Sequence, residues 1–316
     1  MVCPFFEIAN KRENYVKIRK IPMKILCSEI LKLFTIVKDI RDAGYVHGDI
    51  RESNILCNID TGVMTIIDFD WLMPVDEYTI KYPRYFYSHP PETYFIFEGL
   101  KVLIQAINKN TDKQTAEYIQ NHLVTIIKFG NTTGVSDFVI KFKHDNKLNI
   151  NTKYGQVKTY LSNLIQTKNT IDSYGLVVAL NMLLTPVLYF GLSIPRGALK
   201  NGTVEYTVEE LNNIQTFSND FQNLLTSMIN PNIYKRVNID EAIHTLKSIL
   251  VKTHLLDEPS INTTTNTTTN TNTNNIINNI RQLKIGSGSR RRKTCHTNKI
   301  SSKKTSNTTQ RRRKHL

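Results

Sequence analysis

The sequence predicts a mostly α-helical domain with small β-hairpins, followed by a disordered basic tail. A long segment before residue 44 repeats apolar residues at helical spacing, and two short apolar runs follow it around a turn. A Thr/Asn-rich tract then separates the last apolar segment from clusters of Lys and Arg. With 316 residues and 40% hydrophobic content, the chain is long enough to bury a sizeable core.

The first predicted element is a helix over residues 22–43, "PMKILCSEILKLFTIVKDIRDA". Its apolar residues, among them Ile30, Leu33 and Val37, recur on one face, which is typical of a half-buried helix. Gly44 is expected to end it. The runs "SNILCNI" and "VMTIIDF", joined by "DTG", then predict a short β-hairpin.

Three further helices are predicted towards the end of the ordered part. The segment 172–191 is apolar on all sides, which indicates a helix in the middle of a large core. Two amphipathic helices follow, in "NDFQNLLTSMI" and "NIDEAIHTLKSILVKTH", with Asn238 and Asp240 as candidate N-caps of the second. Between residues 93 and 171 the pattern is more polar and indicates only two helices, near 116–129 and 155–166.

The positive charge belongs to the tail. The net charge is +14, but thirteen Lys and Arg residues lie in 281–316, beyond the last carboxylate at Glu258. Residues 257–316 are therefore predicted to be a disordered Thr/Asn-rich linker and basic tail. The clusters "SRRRK" and "RRRK" suit contact with nucleic acid or with a nuclear import receptor, and equally a solvated tail with no partner.

Composition bears on location. No apolar run reaches the length of a membrane helix, and the N-terminus lacks the order of a signal peptide. The four cysteines show no C-x-x-C spacing, so neither a zinc site nor a disulfide framework is indicated. We expect an intracellular protein that makes no membrane contact, with the nucleus as an alternative location if the tail is an import signal.

An Asp, an Asn and a second Asp stand beside the apolar runs of the predicted hairpin. Asp49 and Asn54 lie on one loop, and Asp68 ends the second strand, so it returns to the same pocket mouth. Phosphoryl transfer needs a carboxylate to accept the proton of the attacking hydroxyl, and oxygen ligands for Mg²⁺. An isolated Asp-x-x-x-x-Asn is usually a turn, but the order helix, His-x-Asp-x-x-x-x-Asn, strand, turn, strand, Asp-Phe favours this chemistry.

These motifs resemble those of the protein kinase superfamily. The loop "HGDIRESN" is similar to H-R-D-x-x-x-x-N, and "DFD" is similar to D-F-G. Further along, "SHPPE" (88–92) resembles A-P-E, and "DSYGLVVAL" (172–180) resembles the central helix of the large lobe. The segment "NPNIYKRVNIDEA" (230–242) resembles the one whose Arg pairs with the A-P-E Glu, here Arg236 and Glu92. The resemblance covers residues 1–256, with an insertion at about 93–171, and implies a kinase-like C-terminal (large) lobe.

The resemblance implies a role for each matched residue. Asp49 would be the catalytic base, and Arg51 stands where many kinases place a Lys that faces the transferred phosphate. Asn54 and Asp68 would be Mg²⁺ ligands, and Leu56 would form the floor of the adenine pocket of ATP.

Other matched residues would support this site. His47 and Phe69 would pack beneath it, and Asp172 would hold the backbone of the catalytic loop. The segment "FFEIAN" resembles the hinge between the lobes, so Glu7 and Ala9 would offer backbone hydrogen bonds to the adenine.

The pattern departs from the family in the small lobe. No Gly-rich loop and no V-A-I-K Lys precede the hinge-like segment, so the small lobe would come from an upstream start or from a second chain, or the protein is a degenerate relative. Gly48 replaces the Arg of H-R-D. The insertion at 93–171 would be a surface elaboration or a partner site.

Three functions stay open. The first is Mg²⁺/ATP-dependent transfer to a protein hydroxyl, Ser or Thr. The second is a binding module, that is, a pseudokinase or truncated lobe that contacts a protein partner. The third, phosphorylation of a small molecule, rests on the H-G-D form alone.

Overall fold

A computed structural model describes residues 21–58, 60–81, 85–109, 111–123, 132–192 and 206–256, with only the backbone at 80–81 and 185–192. Within these residues the protein is mostly helical and has two small antiparallel sheets, which confirms the coarse fold class. None of the described helices combines the length and the apolar character needed to cross a membrane. The predicted tail and the hinge-like segment lie outside the described residues.

The strands of the described residues all lie between residues 45 and 74, and the described elements beyond them are helical. The helices are α1 (Met23–Asp42), α2 (Val75–Lys81), α3 (Pro91–Phe97), α4 (Leu100–Ile107), α5 (Asp112–Leu123), α6 (Thr132–Asp145), α7 (Tyr154–Lys168), α8 (Ile171–Leu192), α9 (Val208–Met228) and α10 (Ile239–Lys252). The strands are β1 (Tyr45–Val46), β2 (Ile55–Cys57), β3 (Met64–Ile66) and β4 (Met73–Pro74). Short 3-10 helices lie at Glu52–Asn54 and Phe69–Trp71.

The two sheets bring the predicted site loops side by side. Strands β2 and β3 form the predicted hairpin, with Ile55 opposite Ile66. Strand β1 pairs with β4, so that Val46 lies opposite Met73. Residues 47–54 leave β1 and enter β2, whereas residues 67–72 leave β3 and enter β4. The two loops therefore share the same edge of the structure.

Two hydrophobic clusters form the interior. The first joins α1, the β2–β3 hairpin, α8, α9 and α10. Helix α8 contributes Leu176, Val177 and Leu180 to this cluster, which confirms the prediction of a central apolar helix.

The N-cap of α10 is also confirmed, since the Asn238 side chain accepts a hydrogen bond from the Glu241 N–H at 3.0 Å.

The second cluster is built mostly by the segment described above as an insertion. It contains residues from α2 to α7, with Leu103, Ile119, Phe138 and Leu161 fully buried. Where the sequence pattern indicated two helices, the structure has α4, α5, α6 and α7 and most of α3. The segment therefore contributes most of a second hydrophobic cluster, and its expected role as a surface elaboration or a partner site stays a prediction.

A buried ion pair joins α3 to the connection between α9 and α10. Arg236 Nη1 and Nη2 donate to the two Glu92 carboxylate oxygens at 2.6 and 3.0 Å, and the side chains are 0% and 1% exposed. Arg236 also donates to Thr170 Oγ1 at 2.8 Å and to the Asn230 carbonyl at 2.9 Å. This confirms the pairing of Arg236 with Glu92 expected from the motifs.

Arg236→Met is expected to lower the free energy of unfolding by about 3–5 kcal/mol, because it leaves the Glu92 charge buried without its partner. The matched control is Lys252→Met, which breaks an exposed pair with Asp220 of 2.9 Å and should cost less than about 1 kcal/mol. Urea unfolding of both variants measures the difference. Equal losses in the free energy of unfolding would show that the buried pair stabilises the fold no more than the exposed pair does.

Candidate active site

Asp172, in the first turn of α8, holds the backbone of the loop that follows β1. Its Oδ2 accepts the N–H of His47 at 2.7 Å, and its Oδ1 accepts the N–H of Gly48 at 3.0 Å. Gly48 has a φ of 76°, a conformation that glycine adopts at little cost. The role expected of Asp172 towards this loop is thus borne out in its geometry.

Helix α8 also touches the loop one turn further along. A Cβ atom at Gly175 would lie 2.6 Å from the backbone oxygen of Ile50, closer than a side chain tolerates. Only glycine allows the helix and the loop to approach in this way, so the position of Ile50, next to Asp49, depends on α8.

Asp49 is buried and is bonded by two of the other predicted site residues. The residue is only 4% exposed, and its Oδ2 accepts a hydrogen bond from Asn54 Nδ2 at 2.9 Å. Asn54 Nδ2 also donates to the Asp49 carbonyl at 2.8 Å, and Arg51 Nη2 lies 3.4 Å from Oδ2. The structure therefore brings Asp49, Arg51 and Asn54 together.

Burial raises the pKa of Asp49 above its ordinary value. The charge of Arg51 and the hydrogen bond from Asn54 act in the opposite direction, and the Asp68 charge adds to the increase. A carboxylate with a raised pKa is a better proton acceptor than an exposed one, which is what a general base requires.

Two polar atoms of this loop are left without partners. Asp49 Oδ1 and Arg51 Nε are buried and make no hydrogen bond among the described residues. A buried polar atom without a partner costs free energy. Their positions suit a bound molecule that donates a hydrogen bond to Asp49 and accepts one from Arg51.

Asp68 lies on the neighbouring loop, at the end of the hairpin near Asn54. The Ile67 N–H donates to the Asn54 carbonyl at 2.9 Å, which places Asp68 immediately beyond this contact. Asp68 is exposed and has a φ of 65°, an uncommon left-handed conformation for a residue with a side chain. Such strained residues cluster at functional sites.

His47 and Phe69 pack beneath the two loops, as the resemblance implies. Their ring centroids are 4.8 Å apart. His47 Nε2 donates to the Ile67 carbonyl at 3.1 Å, so the ring bonds the first loop to the second.

Leu56 and the hinge residues complete the set of predicted site residues. Buried residues alternate along β2 and β3, which turns half-buried Leu56 and Thr65 to the face opposite the core. A pocket floor requires this outward placement. Glu7 and Ala9, the predicted adenine contacts, lie outside the described residues.

The loop makes two contacts that the sequence did not reveal. Tyr87 Oη lies 2.7 and 2.6 Å from the two carboxylate oxygens of Glu52, which share its one hydroxyl proton. His89 Nε2 donates to the Gly48 carbonyl at 3.0 Å. Both partners lie in "YFYSHPPE" (85–92), where the A-P-E resemblance drew attention only to the last residues. Because the partners in these two contacts are 35 and 41 residues apart in the chain, no periodic pattern of the sequence indicates them.

The oxygen donors of the two loops suit one kind of Mg²⁺ site only. No group of three or more His, Cys, Asp or Glu residues that would hold a metal is found in the described part of the chain. Mg²⁺, however, is usually bound by one or two carboxylates together with waters and substrate phosphates. One exposed carboxylate, Asp68, and one amide oxygen, Asn54, at the same end of the hairpin fit this simpler kind of site.

Comparison with known proteins gives no match to a family model, to a curated protein or to a solved structure. Asp49, whose Oδ1 has no hydrogen bond within the described part of the chain, can accept a proton, and the neighbouring Arg51 guanidinium can bind an anionic group.

Gly175→Ala is expected to destabilise the fold by about 1–3 kcal/mol, because the added methyl group overlaps the Ile50 carbonyl. The same substitution at Gly155, in α7, meets no atom within 4 Å and should be neutral or stabilising by up to about 1 kcal/mol. Thermal unfolding of the two variants tests the contact. A Gly175→Ala protein as stable as Gly155→Ala would contradict the close approach of helix and loop.

Proposed function

We propose that this chain has a protein-kinase-like large lobe and transfers the terminal phosphoryl group of ATP to a Ser or Thr hydroxyl of a protein substrate. The observation that carries the proposal is the state of Asp49, a buried carboxylate with one oxygen bonded to Asn54 and the other free of hydrogen bonds among the described residues. A substrate hydroxyl would supply the missing donor, and Asp49 would take its proton during transfer.

The remaining roles follow from position. Arg51, half-buried beside Asp49, would interact with the transferred phosphoryl group and offset its charge. Asn54 and Asp68 would hold Mg²⁺, which, when bound, neutralises charge on the phosphates. Leu56 would contact the adenine, with Glu7 and Ala9 as the proposed hinge partners.

Two contacts made by residues far from Asp49 in the sequence support a kinase-like arrangement over a fortuitous turn. Asp172 holds the loop backbone, and Arg236 holds Glu92, as the corresponding motifs of the family would require. The Glu92–Arg236 pair belongs to the protein-kinase pattern, which favours a protein substrate over a small molecule.

Mg²⁺ and ATP together are expected to raise the melting temperature of the full chain by a few degrees, since a ligand at a hundred times its Kd adds about 2.7 kcal/mol of stability. Asp68→Asn should abolish this shift. Asp70→Asn, which changes another exposed carboxylate two residues away, is the matched control and should keep it. The measurement is thermal unfolding with ATP, with and without Mg²⁺.

Asp49→Asn should retain the Mg²⁺/ATP shift but lose phosphoryl transfer to a protein substrate by roughly 10²–10⁴-fold, because Asn cannot accept the proton. Transfer is measured with labelled ATP and a mixture of Ser/Thr-containing proteins. If wild-type protein shows neither the shift nor transfer, the enzyme proposal is wrong. A shift without transfer, in turn, would favour the binding module.

A further inference from the structure

The peptide group that joins Gly48 to Asp49 is bonded at both ends by imidazole rings. The Asp49 N–H donates to His47 Nδ1 at 3.4 Å, and the Gly48 carbonyl accepts from His89 Nε2 at 3.0 Å. His47 is the neighbouring loop residue, whereas His89 comes from the segment before α3, 41 residues away. The orientation of this peptide group fixes the point from which the Asp49 side chain leaves the backbone.

The hydrogen bonds define the protonation of His89. Its Nδ1 accepts the N–H of Phe86 at 3.3 Å, so the ring proton must lie on Nε2, where it is donated to Gly48. Only the neutral ring satisfies both contacts, because a second proton on Nδ1 would face the Phe86 N–H. Burial lowers the pKa of His89 to about 4, in agreement with a neutral ring at neutral pH.

The surroundings of His89 hold its ring in place. The residue is 2% exposed, and the rings of Tyr78, Tyr85 and Phe86 meet it edge-on, with centroids at 6.2, 6.2 and 5.4 Å. An apolar side chain would fill this aromatic enclosure equally well. The polar contacts to Gly48 and Phe86 are therefore what distinguishes a histidine here from a packing residue.

We propose that His89 is a positioning residue, which orients the Gly48–Asp49 peptide group and thereby holds the Asp49 carboxylate in its working position. The inference rests on the proposed role of Asp49 as the base. Gly48 has no Cβ and a left-handed φ of 76°, so no side chain of its own restrains this peptide group, and the His89 contact acts together with the His47 contact to orient it. The Gly48 N–H, bonded to Asp172, belongs to the preceding peptide group and does not replace the contact.

Three substitutions separate positioning from packing. His89→Gln places an amide N–H near the position of Nε2 and keeps the donor to Gly48. His89→Asn places an oxygen near the position of Nδ1 and keeps only the acceptor for Phe86. His89→Leu fills the enclosure and keeps neither contact.

In the full chain, the Leu and Asn variants are expected to lower kcat by about 10–100-fold with little change in the KM for ATP, because misplacement of a catalytic group affects the chemical step. The Gln variant should recover most of the rate.

A second measurement does not depend on catalysis. Amide hydrogen exchange of Asp49, followed by NMR in the full chain, reports directly on the same peptide group. We expect exchange to be at least about tenfold faster in the Leu and Asn variants and close to wild type in the Gln variant.

The outcomes separate the two proposals. Absent transfer in wild-type protein would overturn the proposed function, while unchanged Asp49 exchange in His89→Leu would overturn the positioning role. If the Gln and Leu variants show the same exchange and the same rate, His89 acts by packing alone and the inference is wrong. Faster exchange in Leu and Asn but not in Gln supports it, whatever the activity.

Discussion

The site depends above all on the buried carboxylate of Asp172. A buried charge is costly unless its oxygens are bonded, and here each oxygen has one backbone N–H, from His47 and Gly48. Burial raises the pKa of Asp172, while the His47 ring and the two N–H groups act in the opposite direction. Because Asp172 lies in the first turn of α8, which contributes buried residues to the first hydrophobic cluster, the loop is fixed to a helix of the core. Gly175 then allows that helix to lie directly against Ile50.

The second cluster gives the same loop a second support. Helices α2 to α7 pack around their own apolar core, and this core positions the segment before α3 against the loop. From there Tyr87 bonds Glu52 and His89 bonds Gly48. The Glu92–Arg236 pair continues this set of contacts to Thr170, immediately before α8. Helix α8 and the segment before α3 thus hold the loop from two directions, and they are themselves joined by a buried ion pair.

Local patterns were enough to predict α1, the hairpin and the cap of α10, because each rests on residues near each other in the chain. Helix α6 was missed for the opposite reason. Its first turns contain Gly134, Val135 and Ser136, which are poor helix formers, and the reason for the glycine lies in another part of the chain. A Cβ at Gly134 would lie 2.5 Å from Pro231, so this helix needs a small residue where the two segments meet. His89 was overlooked in the same way, since its partner Gly48 is distant in sequence.

The polar groups of the structure differ in how completely they are bonded, and this difference bears on function. Asp172, Glu92 and Arg236 have donors or acceptors at short distance, as expected of groups that hold a fold together.

Asp49 Oδ1 and Arg51 Nε, by contrast, are buried without a hydrogen bond among the described residues. Ser88 and Ser218 also have such atoms, but a hydroxyl without a partner costs less than an oxygen of a charged carboxylate or an N–H of a guanidinium without one. A loop needed only for stability would gain nothing from this cost. Unsatisfied buried polar groups occur at sites that bind or react, and these two atoms are therefore the observation that supports the proposed function of the loop.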